Sequence, residues 1–117
     1  MRNLIITCMR NEAPFILEWV AYHRSIGFTD FLVFTNDCDD GTDSLLEGLA
    51  EAGYVQHLEN PWEQMKNRIN PQKGALRYSE DLPIVAEVDR ILISDVDEYV
   101  NIHVGDGTLE ALFQELD

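Results

Sequence analysis

The sequence predicts an α/β fold, a three-layer sandwich with a mostly parallel sheet. Short apolar runs alternate along the chain with segments of helical periodicity, and this alternation is typical of βαβ units. The run at residues 31–37 is apolar almost throughout, as parallel strands buried on both faces are. A length of 117 residues, 45% of them hydrophobic, is enough for one domain with one core. Residues 1–117 are therefore treated as a single domain.

The predicted strands are the apolar runs at residues 4–7, 31–37, 54–59 and 90–94. The first helix, residues 13–27, has a wide apolar stripe at helical spacing that we expect to be buried: Phe15, Trp19, Tyr22 and Ile26, with Ile16 and Val20 beside them. Pro14 suits the first turn of this helix and Gly27 suits its C-terminal cap.

Three further helices complete the predicted alternation. The second carries Leu45, Leu46 and Leu49 on one face and ends at Gly53. The third covers residues 72–82 and is ended by Pro83. The last, residues 107–116, has Thr108 as its expected N-cap.

Charge and composition exclude several classes of function. The chain has 8 Lys and Arg against 22 Asp and Glu, a formal net charge of −14 that argues against nucleic acid and anionic membranes as partners. Cys8 and Cys38 are too few for a disulfide scaffold, which favours a reducing compartment. No segment resembles a signal peptide or reaches the roughly 18–20 apolar residues of a membrane span. We therefore expect a cytoplasmic protein without a transmembrane segment.

Polar clusters follow three of the four predicted strands. The carboxyl ends of parallel strands share one edge of a sheet, and ligands bind there where the strand order reverses. We therefore expect seven carboxylates at one edge: Glu12, Asp37, Asp39, Asp40, Asp95, Asp97 and Glu98. Asp39 and Asp40 precede Gly41, so a turn explains them as well as a ligand site does.

Asp95 and Asp97 carry the strongest functional signal. In an extended chain their side chains point to the same side, an arrangement that suits chelation and is costly without a cation. Oxygen ligands select hard ions, so Mg²⁺ or Mn²⁺ is expected rather than zinc.

Histidines and cations are less informative. We interpret His23 as a surface or partly buried structural residue, His57 as lacking a visible partner, and His103 as solvated. No arrangement of residues suggests a nucleophilic triad. Five cations are expected to neutralise the carboxylates or hold a phosphate: Arg10, Lys66, Arg68, Lys73 and Arg77.

Longer motifs add a family resemblance. The stretch CMRNEAPFILEWVAYHRSIGFTDFLVFTNDCDDGTDSLL resembles the opening of a bacterial branch of glycosyltransferase family 2 and of the related family 92. RILISDVDEYV is similar to the DxDEF motif of these families, and QKGALRYS to the helix before it. The resemblance implies a partial glycosyltransferase-A fold, a Rossmann-like nucleotide-sugar domain that uses Mn²⁺ or Mg²⁺.

The same resemblance implies a role for individual residues. Asp97 is expected to ligate the metal that holds the diphosphate, and Asp95 to approach the ribose and the metal shell. Asp37 is expected to contact the base or ribose. The remaining members of the implied nucleotide pocket are Arg10, Asn11 and Glu12.

We therefore expect a metal-dependent glycosyltransferase that takes a UDP- or GDP-sugar and a saccharide or other hydroxyl acceptor. Only twenty residues follow Asp97, so we expect the donor-binding portion, which ends before the acceptor half. The catalytic base is not identified.

Other classes of protein fit the sequence less well, with one exception. A haloacid-dehalogenase phosphatase needs further residues downstream, and a receiver domain needs a lysine beyond Lys73. A non-catalytic module that binds nucleotide or divalent metal, or that oligomerises, remains the alternative. We also expect self-association through the exposed edge of the fourth strand.

Overall fold

A sheet of four parallel strands forms the centre of the molecule. The computed structural model describes residues 1–35, 40–60 and 71–116. The elements are, in chain order, β1 (Asn3–Met9), α1 (Ala13–Ile26), β2 (Asp30–Thr35), α2 (Thr42–Glu51), β3 (Gln56–Glu59), α3 (Pro71–Ser79), α4 (Pro83–Glu87), β4 (Arg90–Ile93) and α5 (Leu109–Leu116). The predicted α/β class with a parallel sheet is confirmed.

The strand order across the sheet is β3–β2–β1–β4. The first three strands neighbour one another in sequence order, whereas β4 pairs with the other side of β1. Right-handed crossovers built in opposite directions place their helices on opposite faces of a sheet. The strand order reverses between β1 and β4, and such a switch point is where open α/β sheets bind ligands.

Two apolar cores, one on each face of the sheet, hold three layers together. Alternate residues of a strand point to opposite faces, so Ile5 and Leu4 of β1 belong to different cores. The first core joins the sheet to α1, α2 and α5 through Trp19, Leu46 and Leu109, among others. The second core joins the sheet to α3 and α4. The predicted three-layer arrangement is therefore confirmed.

Helix α1 has its predicted ends, and most of its predicted apolar stripe is buried, but the buried face is centred away from Phe15 and Tyr22. Pro14 lies in the first turn, and Gly27 is the C-cap with φ of 120°. The buried residues are Ile16, Trp19, Val20, His23 and Ile26. Phe15 is 51% exposed, so its predicted place in the core is wrong. At 3.6 residues per turn the buried face centres near His23, which leaves Phe15 and Tyr22 at its edge.

The predicted third helix is shorter than expected, and a helix that was not predicted follows it. Helix α3 ends at Ser79, and Pro83 lies at the start of α4, so the prediction that Pro83 ends a helix is wrong. Proline is favoured at a first helical position because its missing N–H has no partner there. The described part of the chain has no helix that is both long and apolar enough to cross a bilayer.

Candidate functional site

β4 ends beside β1 at the switch point, three residues before β1 itself ends at Met9. Ile6 is in register with Ile93, and the Ser94 N–H donates to the Ile6 carbonyl at 3.1 Å. β1 leads into the loop of residues 10–12, and β4 leads into residues 95–98. The two groups of predicted site residues that the structure describes therefore meet at one edge.

The loop after β1 carries Arg10, Asn11 and Glu12. Asn11 has φ of 54°, in the left-handed region that asparagine tolerates better than most residues. The Glu12 N–H donates to the Thr42 hydroxyl at 3.1 Å, which ties the loop to α2. Arg10 and Asn11 are exposed and Glu12 is half-buried. The loop backbone is thus fixed while two of its side chains face solvent.

Asp40 serves the fold. Its carboxylate accepts hydrogen bonds from the Thr42 N–H at 3.0 Å, from the Thr42 hydroxyl, and from the Ala13 N–H at 3.3 Å. These bonds, that of the Thr42 hydroxyl first, hold the pKa of Asp40 below its usual value. The sequence left a turn and a ligand role open for this residue. The geometry is that of a turn residue joining the starts of α1 and α2.

Residues 95–98, called the acidic turn below, form a closed turn. The Glu98 N–H donates to the Asp95 carbonyl at 3.0 Å, and the Asp95 N–H donates to the Glu98 carboxylate at 3.0 Å. Between the two aspartates, Val96 is buried in the core beneath α1. Asp95 and Asp97 are exposed on either side of it.

The predicted geometry of this segment is wrong in one respect. Asp95 and Asp97 were expected in extended chain, but β4 ends at Ile93 and the chain turns. The reason is that the Glu98 side chain reaches back to the Asp95 N–H and closes the turn. Glu98 therefore stabilises the turn instead of joining a row of carboxylates.

Three α1 side chains hold the backbone from Glu98 to Val100, and we call them the aromatic clamp: Trp19, Tyr22 and His23. The Trp19 indole N–H donates to the Glu98 carbonyl at 3.1 Å. The Tyr22 hydroxyl donates to the Val100 carbonyl at 2.6 Å. The Val100 N–H donates to His23 Nε2 at 3.3 Å.

His23 is fully buried, which corrects its interpretation as a surface or partly buried residue. Since Nε2 accepts a hydrogen bond from Val100, Nδ1 carries the proton and donates to the Trp19 carbonyl at 2.8 Å. Burial lowers the pKa of His23 and keeps it neutral. The Tyr99 ring stacks on the imidazole with centroids 5.6 Å apart. The sequence analysis missed this role of His23. The only local signal for it was that Tyr22 and His23 stand three and four positions after Trp19 on one helix.

His57, interpreted as having no partner, joins β2, β3 and α2. Its Nε2 lies 2.8 Å from the Thr35 hydroxyl and 3.5 Å from the Asp43 carboxylate. Its Nδ1 lies 2.8 Å from the Glu47 carboxylate. Thr35 is the last residue of β2, so His57 steadies the strand that leads into residues 36–39.

Four predicted site residues lie outside the described residues: Asp37, Asp39, Lys66 and Arg68. Their roles stay predictions. Of the other predicted cations, Lys73 and Arg77 are exposed on α3, and Arg10 is exposed in the loop after β1.

Asp95 and Asp97 suit a hard divalent cation of the kind the resemblance implies. Within residues 1–35, 40–60 and 71–116, no three His, Cys, Asp or Glu side chains are grouped to hold a metal ion. Mg²⁺ is commonly bound by one or two carboxylates together with substrate phosphates and water, so a third protein ligand is not required. The Asp97 carboxylate forms no hydrogen bond or ion pair with the described residues, and the residue is exposed.

Comparisons with known proteins agree with the motif resemblance. The family model of glycosyltransferase family 92 matches residues 5–117. A family 92 protein of Ricinus communis is 38% identical over 59 residues, which cover 50% of this chain and 11% of that protein. A family 92 protein of Oryza sativa subsp. japonica is 31% identical over 111 residues, which cover 91% of this chain and 17% of that protein. The chain thus spans a small part of these relatives.

The fold has a counterpart among solved structures. A crystal structure of S. aureus TarS superposes with a TM-score of 0.60 and 15% identity, covering 99% of this chain and 31% of that one. At this identity the likeness concerns the fold alone. The predicted resemblance to family 92 is confirmed, and the one to family 2 stays a prediction. The chain belongs to glycosyltransferase family 92.

Proposed function

We propose that this chain is the donor-binding portion of a metal-dependent glycosyltransferase. The donor is a nucleotide-sugar, UDP- or GDP-linked, and the acceptor is a saccharide or other hydroxyl compound. The acidic composition and the cysteine content favour a cytoplasmic location.

One observation carries this proposal: the acidic turn presents Asp95 and Asp97 to solvent at the topological switch point of a family 92 chain. Nucleotides bind at this point of open α/β sheets. A pair of exposed carboxylates there is suited to a cation that neutralises a diphosphate.

We divide the roles between the residues that follow β4 and the residues that follow β1 and β2. Asp97 would hold the metal ion together with the diphosphate, and Asp95 would contact the ribose and complete the metal shell. When bound, Mg²⁺ or Mn²⁺ supplies Lewis-acid stabilisation of the nucleoside diphosphate leaving group. Asp37 would contact the base or ribose. The loop after β1 would line the nucleotide pocket with three side chains: Arg10, Asn11 and Glu12.

The test is a calorimetric titration of the protein with UDP and with GDP, with and without Mn²⁺, repeated with Asp97→Asn. We expect binding by the native protein only with the metal, and a loss of affinity of at least about 100-fold in the variant. That loss exceeds the 10–100-fold typical of residues that only support a metal ligand.

Asp81→Asn is the matched control because it makes the same change of charge. Asp81 is exposed in the turn between α3 and α4, away from the switch point. We expect this variant to bind as the native protein does. Metal-independent binding, or an equal loss in both variants, would contradict the proposed metal site.

The alternative of an oligomerisation module is favoured by a separate observation. Among the described strands, β4 pairs only with β1, and its Ile91 and Ile93 are 44% and 49% exposed. An apolar edge strand of this kind is a template for pairing with a second chain. Light scattering should then give a dimer mass for the native protein and a monomer mass for Ile93→Lys. A native monomer at working concentration would exclude this alternative.

A further inference from the structure

We infer that the aromatic clamp positions the acidic turn for metal and nucleotide binding. Trp19, Tyr22 and His23 would act on the site through the Glu98–Val100 backbone and not by contact with the ligand. The inference rests on the proposed function, because it assigns these residues to the same site.

Hydrogen bonds from α1 converge on one short segment of backbone. Three side chains from consecutive turns of α1 bind Glu98 and Val100, which lie 77 to 79 positions further along the chain. Residues three and four apart on a helix share a face, so one face of α1 supplies the whole clamp. The segment at 99–103 has no helix or strand, and these bonds satisfy backbone groups that a ladder would otherwise pair.

Apolar packing alone does not require the polar atoms of the aromatic clamp. Trp19 and His23 are fully buried, and phenylalanine or leucine would fill a core as well. Instead, the Tyr22 hydroxyl and the His23 imidazole bind the two polar groups of the Val100 backbone. The carbonyl and the N–H of one residue are thereby held from the same helix, which fixes the orientation of that peptide segment.

The segment that the clamp holds begins at Glu98, the last residue of the acidic turn. The Glu98 carbonyl is bound by Trp19, while the Glu98 N–H and carboxylate close the acidic turn. One residue therefore belongs to both the clamp and the turn. A metal site requires its ligands within about 0.5 Å of their productive positions, so movement of Glu98 would displace Asp97 beside it.

Two variants of His23 separate the proposed role from simple packing. In His23→Gln the side-chain oxygen can occupy the place of Nε2 and accept the Val100 N–H. In His23→Asn the side chain is too short to reach Val100, although its amide can replace the Nδ1 donor. Tyr22→Phe removes only the hydroxyl that binds the Val100 carbonyl. Tyr54→Phe, at a half-exposed tyrosine before β3, is the matched control.

The experiment measures the Mn²⁺-dependent affinity for UDP and GDP and the thermal midpoint of every variant. We expect Tyr22→Phe and His23→Asn to bind the metal–nucleotide pair about fivefold more weakly, the equivalent of one neutral hydrogen bond. We expect His23→Gln to stay within about twofold of the native protein, and Tyr54→Phe to be unchanged. Restored affinity in His23→Gln is a result that a purely structural role for His23 does not predict.

The outcomes separate the inference from the proposed function. Metal-dependent binding that is equal in the native protein, Tyr22→Phe and His23→Asn would overturn the inference and leave the proposed function standing. Equal losses in His23→Asn and His23→Gln would also overturn it, since the Val100 hydrogen bond would not be the cause. Absence of metal-dependent binding in the native protein would overturn the proposed function, and the inference with it. ¹⁵N NMR supplies a ligand-free check, because the clamp requires the Nδ1–H tautomer of His23; the Nε2–H tautomer would contradict it.

Discussion

Two acidic segments at the same edge of the sheet are stabilised in opposite ways. In the segment of residues 40–42, the Asp40 carboxylate itself makes the bonds, to Thr42 and to the Ala13 N–H. In the acidic turn, the buried Val96, the Glu98 side chain and the aromatic clamp hold the backbone. The Asp97 carboxylate is not used to hold the turn.

This difference separates carboxylates that are used by the fold from carboxylates that are left available to a ligand. A carboxylate whose oxygens accept backbone N–H groups has its hydrogen-bonding capacity committed to the fold. A carboxylate on a turn that other residues stabilise keeps its oxygens for a ligand, and such support by neighbouring groups is typical of built sites. Asp40 is of the first kind and Asp97 of the second, although both follow a strand in the sequence.

Val96→Ala should have the largest effect of the substitutions that test this comparison. The substitution removes two buried methyl groups, so we expect the free energy of unfolding to fall by about 2 kcal/mol. We also expect weaker Mn²⁺-dependent nucleotide binding, since Val96 fixes the acidic turn to the core. Val55→Ala is the control, because Val55 is buried in the same core before β3. Denaturant unfolding and calorimetry should show similar losses of stability but a loss of affinity only in Val96→Ala; equal affinities would contradict the role of the turn.

Thr42→Val should weaken the other segment by a smaller amount. Its hydroxyl is fully buried, accepts the Glu12 N–H and donates to Asp40. Valine keeps the shape but leaves these groups without their partner, so we expect a loss of about 1.5 kcal/mol in the free energy of unfolding.

Thr7→Val is the matched reference for this substitution. The Thr7 hydroxyl is buried and has no hydrogen-bond partner in the described part of the chain. Its removal should leave the denaturant midpoint unchanged or raise it. Equal destabilisation of the two variants would show that the Thr42 hydrogen bonds contribute nothing.

Local patterns were sufficient for the fold and for bringing the candidate site residues after β1 and β4 to the same edge of the sheet. Three local features predicted α1: its apolar periodicity, Pro14 in the first turn and Gly27 at the C-cap. Each of them acts within a few residues of the chain. Alternation of strands and helices predicted the parallel sheet, and the sheet rule then brought the residues after β1 and β4 to one edge.

Long-range pairing explains what the sequence did not reveal. His23 gave no sign of burial because Nε2 finds its partner, the Val100 N–H, 77 positions away. His57 likewise meets Thr35 22 positions before it, in the neighbouring strand. The third case is local. The hydrogen bond from the Asp95 N–H to the Glu98 carboxylate stabilises a turn in place of the extended conformation that the i, i+2 spacing of the aspartates suggested. None of these bonds leaves a periodic signal.

His23 of the aromatic clamp and Asp40 should also respond to acid in different pH ranges, and this is the smallest effect that we expect. The pKa of His23 is lowered by burial from its ordinary value of 6.5. Below pH 6.5 the unfolded chain therefore binds a proton that the folded chain does not, and stability falls as the pH is lowered. The pKa of Asp40 is lowered from 3.8, chiefly by the Thr42 hydroxyl. Its contribution is present above pH 3.8 and is lost as the pH falls through the lower folded-state pKa.

Unfolding midpoints of the native protein, His23→Gln and Asp40→Asn, measured from pH 8 to pH 3, would separate the two contributions. Glutamine does not titrate, so the decline between pH 6.5 and pH 4 should be shallower in His23→Gln than in the native protein. Asp40→Asn should differ from the native protein above pH 4 and converge with it below. The titratable neighbours in ring contact with His23 are Tyr22 and Tyr99, and burial raises the pKa of Tyr99 above its ordinary value of 10.0. Parallel curves for His23→Gln and the native protein would mean that His23 takes up its proton in the folded chain at the same pH as in the unfolded chain, which is incompatible with a buried Nε2 that accepts the Val100 N–H.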